Sequence, residues 1–303
     1  MNICIVIFWF FFSPILAFEG RSSFPYLSGG TWIEFSDWKL LGADYAGKEE
    51  FFNPELVQSG DTIYVDQLCL NQFVTDYLPK IQGQIILISA NYGYGADNSL
   101  PGKYDYLLSD KRIAAWLVQN IDREPTEKLI PIPIGLANRN WPHGNIDILN
   151  SIIPKTIQKK NRNNYIYLNI TPRPERTSCI EYFQNLGIKF EKPKSFNAYL
   201  KDLSKSIFIV SPKGNGIDCH RTWEALLMGC FPIVESSTLN PLYNDLPVLI
   251  IQEWNEVTPE LLQKTHEKFT SKEWSREKLY APFWFKKVSE IKKHIQKTNH
   301  SEF

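Results

Sequence analysis

Residues 207–235 read IFIVSPKGNGIDCHRTWEALLMGCFPIVE, and the fold follows from this stretch. Its first four residues are a continuous apolar run rich in β-branched side chains, which suits a strand buried on both faces. Residues 211–218 contain Pro212, Gly214, Asn215 and Gly216 and form a turn-rich loop. Helix formers take over from Cys219 to Met228, and Gly229 stands where a helix stops. A second strand restarts at Phe231. Strand, glycine loop, helix and strand make a βαβ unit with a right-handed crossover. The loop then lies at the carboxyl end of a parallel strand, where open α/β sheets bind ligands.

The side chains of the loop suit a ligand that is anionic at one end. Gly214 and Gly216, with Asn215 between them, let backbone N–H groups approach a phosphate, and the following helix points its positive end the same way. Lys213, His220 and Arg221 add positive charge there. Glu224 follows Arg221 by three residues and His220 by four, so it shares their helix face one turn further in. A carboxylate at that point can accept hydrogen bonds from two sugar hydroxyls. Phosphate at the helix tip and ribose one turn down describe a nucleotide or nucleotide-sugar site. The plainer alternative is a surface pair of Arg221 with Glu224 and glycines that only make a turn.

Two competing motifs fail on spacing. A dinucleotide fingerprint needs a third glycine where Cys219 stands, and a P-loop needs Gly-Lys-Ser/Thr after four spacers. The first failure disfavours a nucleotide-dependent oxidoreductase.

The run SPKGNGIDCHRTWEALLMGCFPIV resembles the nucleotide-sugar segment of exostosin-like glycosyltransferases. Pro212, Gly214, Arg221, Trp223, Glu224, Ala225, Leu226, Gly229, Cys230, Pro232, Ile233 and Val234 fill that pattern. Residues 24–32 (FPYLSGGTW) and 129–145 (LIPIPIGLANRNWPHGN) resemble bacterial and viral proteins of the same group. The resemblance implies an α/β chain of GT-B type, with two Rossmann-like domains facing each other across a cleft. It also implies sugar transfer from a nucleotide-sugar donor, inverting or retaining, usually with no bound metal.

Outward from the organising unit, 303 residues suggest two modest domains, and 43% apolar residues suffice for a core in each. Basic and acidic residues balance at 33 each, which argues against a broad nucleic-acid surface. Residues 1–18 are nearly all apolar and read as a secretory signal, with an uncleaved anchor as the alternative. Either implies the secretory route or cell envelope, on the lumenal or periplasmic side. Membrane association through this segment or through the basic C-terminal helix is the corresponding expectation. Beyond that segment four cysteines remain, too few for a disulfide scaffold and without paired C-x-x-C spacing for zinc. Cys69 and Cys230 sit in apolar surroundings and read as buried thiols.

Residues 19–147 are expected to form the acceptor domain. Residues 28–31 (SGGT) read as a flexible loop, 61–66 as a strand, 69–78 as a helix and 84–89 as a buried strand. A glycine-rich loop over 90–102 follows. Residues 110–120 read as an amphipathic helix, and 129–134 as a strand whose prolines suit an edge. Polar residues 148–164 read as the interdomain linker. The nucleotide-sugar domain follows over 165–303. It has a strand at 165–170, a helix over 174–186 stopped by Gly187, a short strand at 188–190 and a helix capped by Ser195. After the organising unit come a strand over 247–251, a helix capped by Thr258 and the amphipathic tail 284–297. In GT-B enzymes such a terminal helix commonly crosses back onto the first domain.

The reaction expected is transfer of a sugar to a glycan or glycoconjugate acceptor, with no metal or other cofactor. Loop amides, Lys213 and Arg221 would hold the diphosphate as it leaves. A general base on the first domain would take the acceptor proton, and Asp66, Asp97 and His143 are the candidates. The other reading is a non-catalytic protein of the same fold, either a binding module that keeps the nucleotide-sugar pocket but lacks a working base or a carbohydrate-binding envelope protein.

Overall fold

The computed structural model describes residues 21–42, 52–90, 100–157, 162 and 164–301. The apolar segment 1–18, most of the expected glycine-rich loop and Asp97 lie outside them. The chain is a mixed α/β protein with two parallel sheets.

The first half opens with helix α1 (Gly29–Phe35) and strand β1 (Trp38–Leu40). Residues 28–31 are therefore a helix start and not a flexible loop. Ser28 caps α1 by accepting the Thr31 N–H. Gly30 is needed for a close approach, because a Cβ there would stand 2.4 Å from the Arg21 carbonyl oxygen. Strand β2 (Thr62–Val65) is followed by short helical turns, among them α2 (Leu70–Gln72), and by strand β3 (Ile85–Ser89). The segment expected as an amphipathic helix over 110–120 is instead strand β4 (Ile113–Val118). Its run IAAWLV is apolar at every position and all but Ala114 are buried, so burial on both faces overrides the helix preference of its two alanines. Strand β5 (Leu129–Pro131) forms the sheet edge, where Pro131 withholds no ladder bond. The order is β1-β2-β3-β4-β5, all parallel.

The expected linker holds helix α3 (Ile146–Ile157), with Leu149, Ile152 and Ile153 buried. Its sequence IDILNSII carries apolar residues at helical spacing, a pattern its polar neighbours obscure.

The second half runs β6 (Asn164–Tyr167), α4 (Thr177–Asn185), α5 (Phe196–Leu203), β7 (Ser206–Val210), α6 (His220–Leu227), β8 (Phe231–Glu235), β9 (Leu249–Ile251) and α7 (Pro259–Thr270). Ser195 and Thr258 cap α5 and α7 through their side chains, and Gly187 ends α4 with φ +77°. The short strand expected over 188–190 is reduced to a single parallel bridge from Leu168 to Phe190. Counting that bridge, the order across the sheet in chain sequence is 2-1-3-4-5. A doubly wound sheet of this order reverses direction between its first and third strands, here between β6 and β7.

The last helix, α8 (Ala281–Ser301), returns to the first half. Phe285 stacks on Phe35 at 3.8 Å between ring centroids, Tyr280 stacks on Tyr26, and Lys292 pairs with Asp37 at 2.6 Å. One buried cluster runs from Ile63, Ile88 and Trp116 through Trp223 and Leu242 to Trp284 and Val288, so the two sheets share a core. A second cluster, with Phe183, Phe208 and Trp254, belongs to the second half alone. No helix of the described residues is long and apolar enough to cross a membrane.

Candidate functional site

Two loops leave the carboxyl ends of β6 and β7, on either side of the reversal point, and they meet. The β7 loop closes on itself through the Gly214 N–H and Gly216 O, 2.9 Å apart. Cys219 is the N-cap of α6, and no side chain caps the helix there. Both loop glycines have a close neighbour. A Cβ on Gly216 would stand 2.5 Å from Asn120 Nδ2, and one on Gly214 would stand 3.0 Å from Arg176 Nη2. At Gly216 the buried Asn120 side chain leaves little room for a Cβ, whereas at Gly214 the tip of the Arg176 side chain would have to give way.

The β6 loop supplies cations. Arg176 is buried, and its guanidinium donates to Lys213 O at 2.8 Å and to Thr171 O at 3.0 Å. Burial lowers its pKa, and the neighbouring Arg221 and Arg173 charges act in the same direction. Arg173 donates to the side-chain oxygen of Asn215. Lys213 is exposed beside them, and Arg221 is half-buried in the first turn of α6 with an unpartnered Nε. Four cations thus surround one glycine loop.

Glu224 lies one turn along α6 and is 5% exposed. Burial pushes its carboxyl up to about 7, while Tyr199 and Arg221 act in the other direction. The Tyr199 hydroxyl is itself buried; it acts on Glu224 without reaching full hydrogen-bond geometry. Its ring belongs to an aromatic group with Tyr167 and Phe196, at 6.1 and 6.4 Å between centroids. A buried carboxylate above which no donor is firmly bound suits hydroxyl groups of a ligand.

His220 departs from expectation. Its Nδ1 lies 2.8 Å from Gly135 O, and a carbonyl can only accept, so Nδ1 carries the proton. Burial lowers its pKa to about 4. At neutral pH it is therefore uncharged, and it ties α6 to the chain leaving β5 instead of adding positive charge to the loop. His143 lies beyond it, 6.3 Å away between ring centroids. Partial burial lowers the His143 pKa as well, although its ring remains exposed.

Of the residues singled out by sequence, the fold brings together Lys213, Gly214, Asn215, Gly216, Arg221 and Glu224, with His220 and His143 on their flank. Asp66 is buried at the end of β2, where its side chain accepts the Leu68 N–H at 3.0 Å and caps a helical turn. Arg173 and Arg176 escaped the sequence reading. Their signal was the segment TPRPER directly after an apolar strand. Asp218 gave no comparable signal. It is buried, and its carboxylate accepts from Ile134 N, Cys219 N, Trp223 Nε1 and Tyr243 Oη at 2.8–3.2 Å. Burial still raises its pKa to about 6.

The fold and site define an α/β protein with a parallel sheet and a glycine loop, lined by cations, at the point where the strand order reverses. Residues 153–303 match the family described as the RXYLT1 C-terminal domain, a span that contains β6 to β9 and both loops of the site. This match supports a glycosyltransferase. The crystal structure of a GtfA/B complex is similar over 78% of this chain, with 11% identity and a TM-score of 0.37. The chain spans 58% of that relative's length. No curated protein matches the sequence.

Proposed function

We propose that the protein transfers a sugar from a nucleotide-sugar donor to a glycan or glycoconjugate acceptor. The observation that carries this reading is the ring of Arg173, Arg176, Lys213 and Arg221 around one loop, with buried Glu224 one helical turn beyond. The diphosphate sits on the loop and the start of α6, and its ribose hydroxyls donate to Glu224. In the reaction the bond from the anomeric carbon to the diphosphate oxygen breaks, and a bond from that carbon to the acceptor oxygen forms. The negative charge left on the diphosphate is met by the cations. The acceptor proton passes to a base. His143 is the candidate on the flank, and its lowered pKa keeps it unprotonated at neutral pH. The two sheets are read as the two Rossmann-like halves of a GT-B arrangement, and no metal takes part. The apolar segment 1–18 is read as delivering the chain to the secretory route or envelope.

The second reading, a binding protein of the same fold, is favoured by the position of Asp66, which is buried and holds a backbone N–H. Release of free nucleotide from a donor sugar, with and without glycan acceptors, separates the two. Acceptor-dependent release lost in Arg221→Ala supports transfer, and tight nucleotide binding without release supports the binding protein.

A further inference from the structure

We propose that Trp141 is a platform for the apolar face of a sugar ring of the acceptor, an inference that rests on the glycosyl-transfer reading of the neighbouring site. Trp141 is 48% exposed, an indole left in water by a fold that buries Trp32, Trp116 and Trp223. The loop that carries it is held firmly. Trp141 N–H donates to Asn138 O at 2.9 Å, and Gly144 N–H donates to Trp141 O at 2.8 Å. A Cβ on Gly144 would stand 2.0 Å from Asn138 O. Gly30 N–H donates to Asn138 Oδ1 at 2.7 Å, and Arg139 N–H donates to Arg21 O at 3.0 Å. An exposed ring on so constrained a loop loses little freedom when a ligand covers it.

The ring contacts of Trp141 lead towards the site. Its centroid is 6.0 Å from that of His143, which is 6.3 Å from that of His220 in the first turn of α6. The exposed ring of Tyr165 packs instead on Phe208, inside the second half. A pyranose has an apolar C–H face and a rim of hydroxyls. A flat indole covers the face, and the rim is left to the polar neighbour, here His143. The indole is large and rigid enough to supply this contact area at small entropic cost.

The test uses the full chain in a sugar-free detergent and saturation-transfer NMR. The probes are the methyl β-glycosides of glucose, galactose, xylose and N-acetylglucosamine, with uridine and guanosine diphosphates titrated in parallel. The parent is expected to transfer saturation to the ring C–H protons of at least one glycoside. Trp141→Ala weakens that glycoside about tenfold, and Trp141→Phe retains most of the contact. Tyr106→Ala, which removes an equally exposed ring, changes nothing. Diphosphate affinity stays the same in every variant. No transfer to any glycoside from the parent, or equal transfer from Trp141→Ala, overturns the platform. If neither diphosphate binds the parent while the glycoside contact depends on Trp141, the platform stands and the glycosyl-transfer reading falls.

Discussion

The carboxylate of Asp218 accepts the backbone N–H of Ile134 at 2.8 Å, across 84 residues of chain. Asp218 N–H in turn donates at 2.7 Å to Oδ1 of Asn120, a residue with φ +51° just after β4. The glycine loop of the second sheet is therefore fixed to two strand ends of the first. Asp218 thus acts with the His220–Gly135 contact and the shared core to hold the cations against the first half.

Asp218→Ala should destabilise the chain by about 3 kcal/mol or more, because it leaves several buried donors unpaired at once. Asp218→Asn keeps one acceptor oxygen and should cost about 1–2 kcal/mol. Urea denaturation with an unchanged slope measures both. Near-equal midpoints for parent and Asp218→Ala would show that the donors find water or other partners.

Glu224 sets a pH dependence whose sign is fixed by burial. Its folded pKa is about 7 against an ordinary 4.5, so the folded state holds the proton more tightly than the unfolded chain. The stability this gives is full below about pH 4.5 and is lost as pH rises through about 7. Asp218, raised to about 6, acts in the same direction. Glu224→Gln cannot ionise, so its midpoint should exceed the parent's at pH 8 and approach it at pH 4.5. Parallel midpoint curves for the two proteins across that range would contradict the assignment.

Arg221→Ala should weaken a nucleoside diphosphate by roughly 1.5–3 kcal/mol and the nucleoside far less, since a charge-assisted contact to phosphate is lost. Glu224→Gln should weaken both alike. Calorimetric titration with uridine, guanosine and their diphosphates reads the difference, after circular dichroism has shown the variants folded. Parent-like affinity of both variants for all four ligands would place the nucleotide elsewhere.

The return of α8 should depend on packing and not on its ion pair. Lys292 and Asp37 are both partly exposed, so Lys292→Ala should cost under about 1 kcal/mol. Phe285, stacked on Phe35 and edge-on to Trp32, should cost about 2 kcal/mol or more when truncated to alanine. Thermal unfolding of the two variants side by side gives the ranking, and a larger loss for Lys292→Ala would reverse it.

Transfer activity should survive a chelator. The sequence has no Asp-x-Asp pair to hold a divalent ion on a diphosphate, and four basic side chains stand at the loop instead. Complete loss with EDTA, restored by manganese, would require a metal.

The sequence alone determined the organising unit. Apolar runs such as 207–210 and 85–88, the latter within the strand expected over 84–89, read as buried strands because no polar position interrupts them, and the caps Ser195, Thr258 and Gly187 read correctly because their signals are local. Arg221 and Glu224 were legible for the same reason: their spacing within one helix fixes their shared face. Residues 110–120 were misread because burial on both faces, which makes β4 a strand, is a property of its neighbours in the sheet. Arg176 joined the site only when β6 paired with β7, and Asp218 found Ile134 and Tyr243 only when the two sheets met. The His220 ring likewise meets the Gly135 carbonyl across 85 residues of chain, and its neutral state comes from the burial that packing imposes. Local propensity and periodicity are written along the chain, whereas partners that converge from distant strand ends exist only after the sheets have ordered and packed.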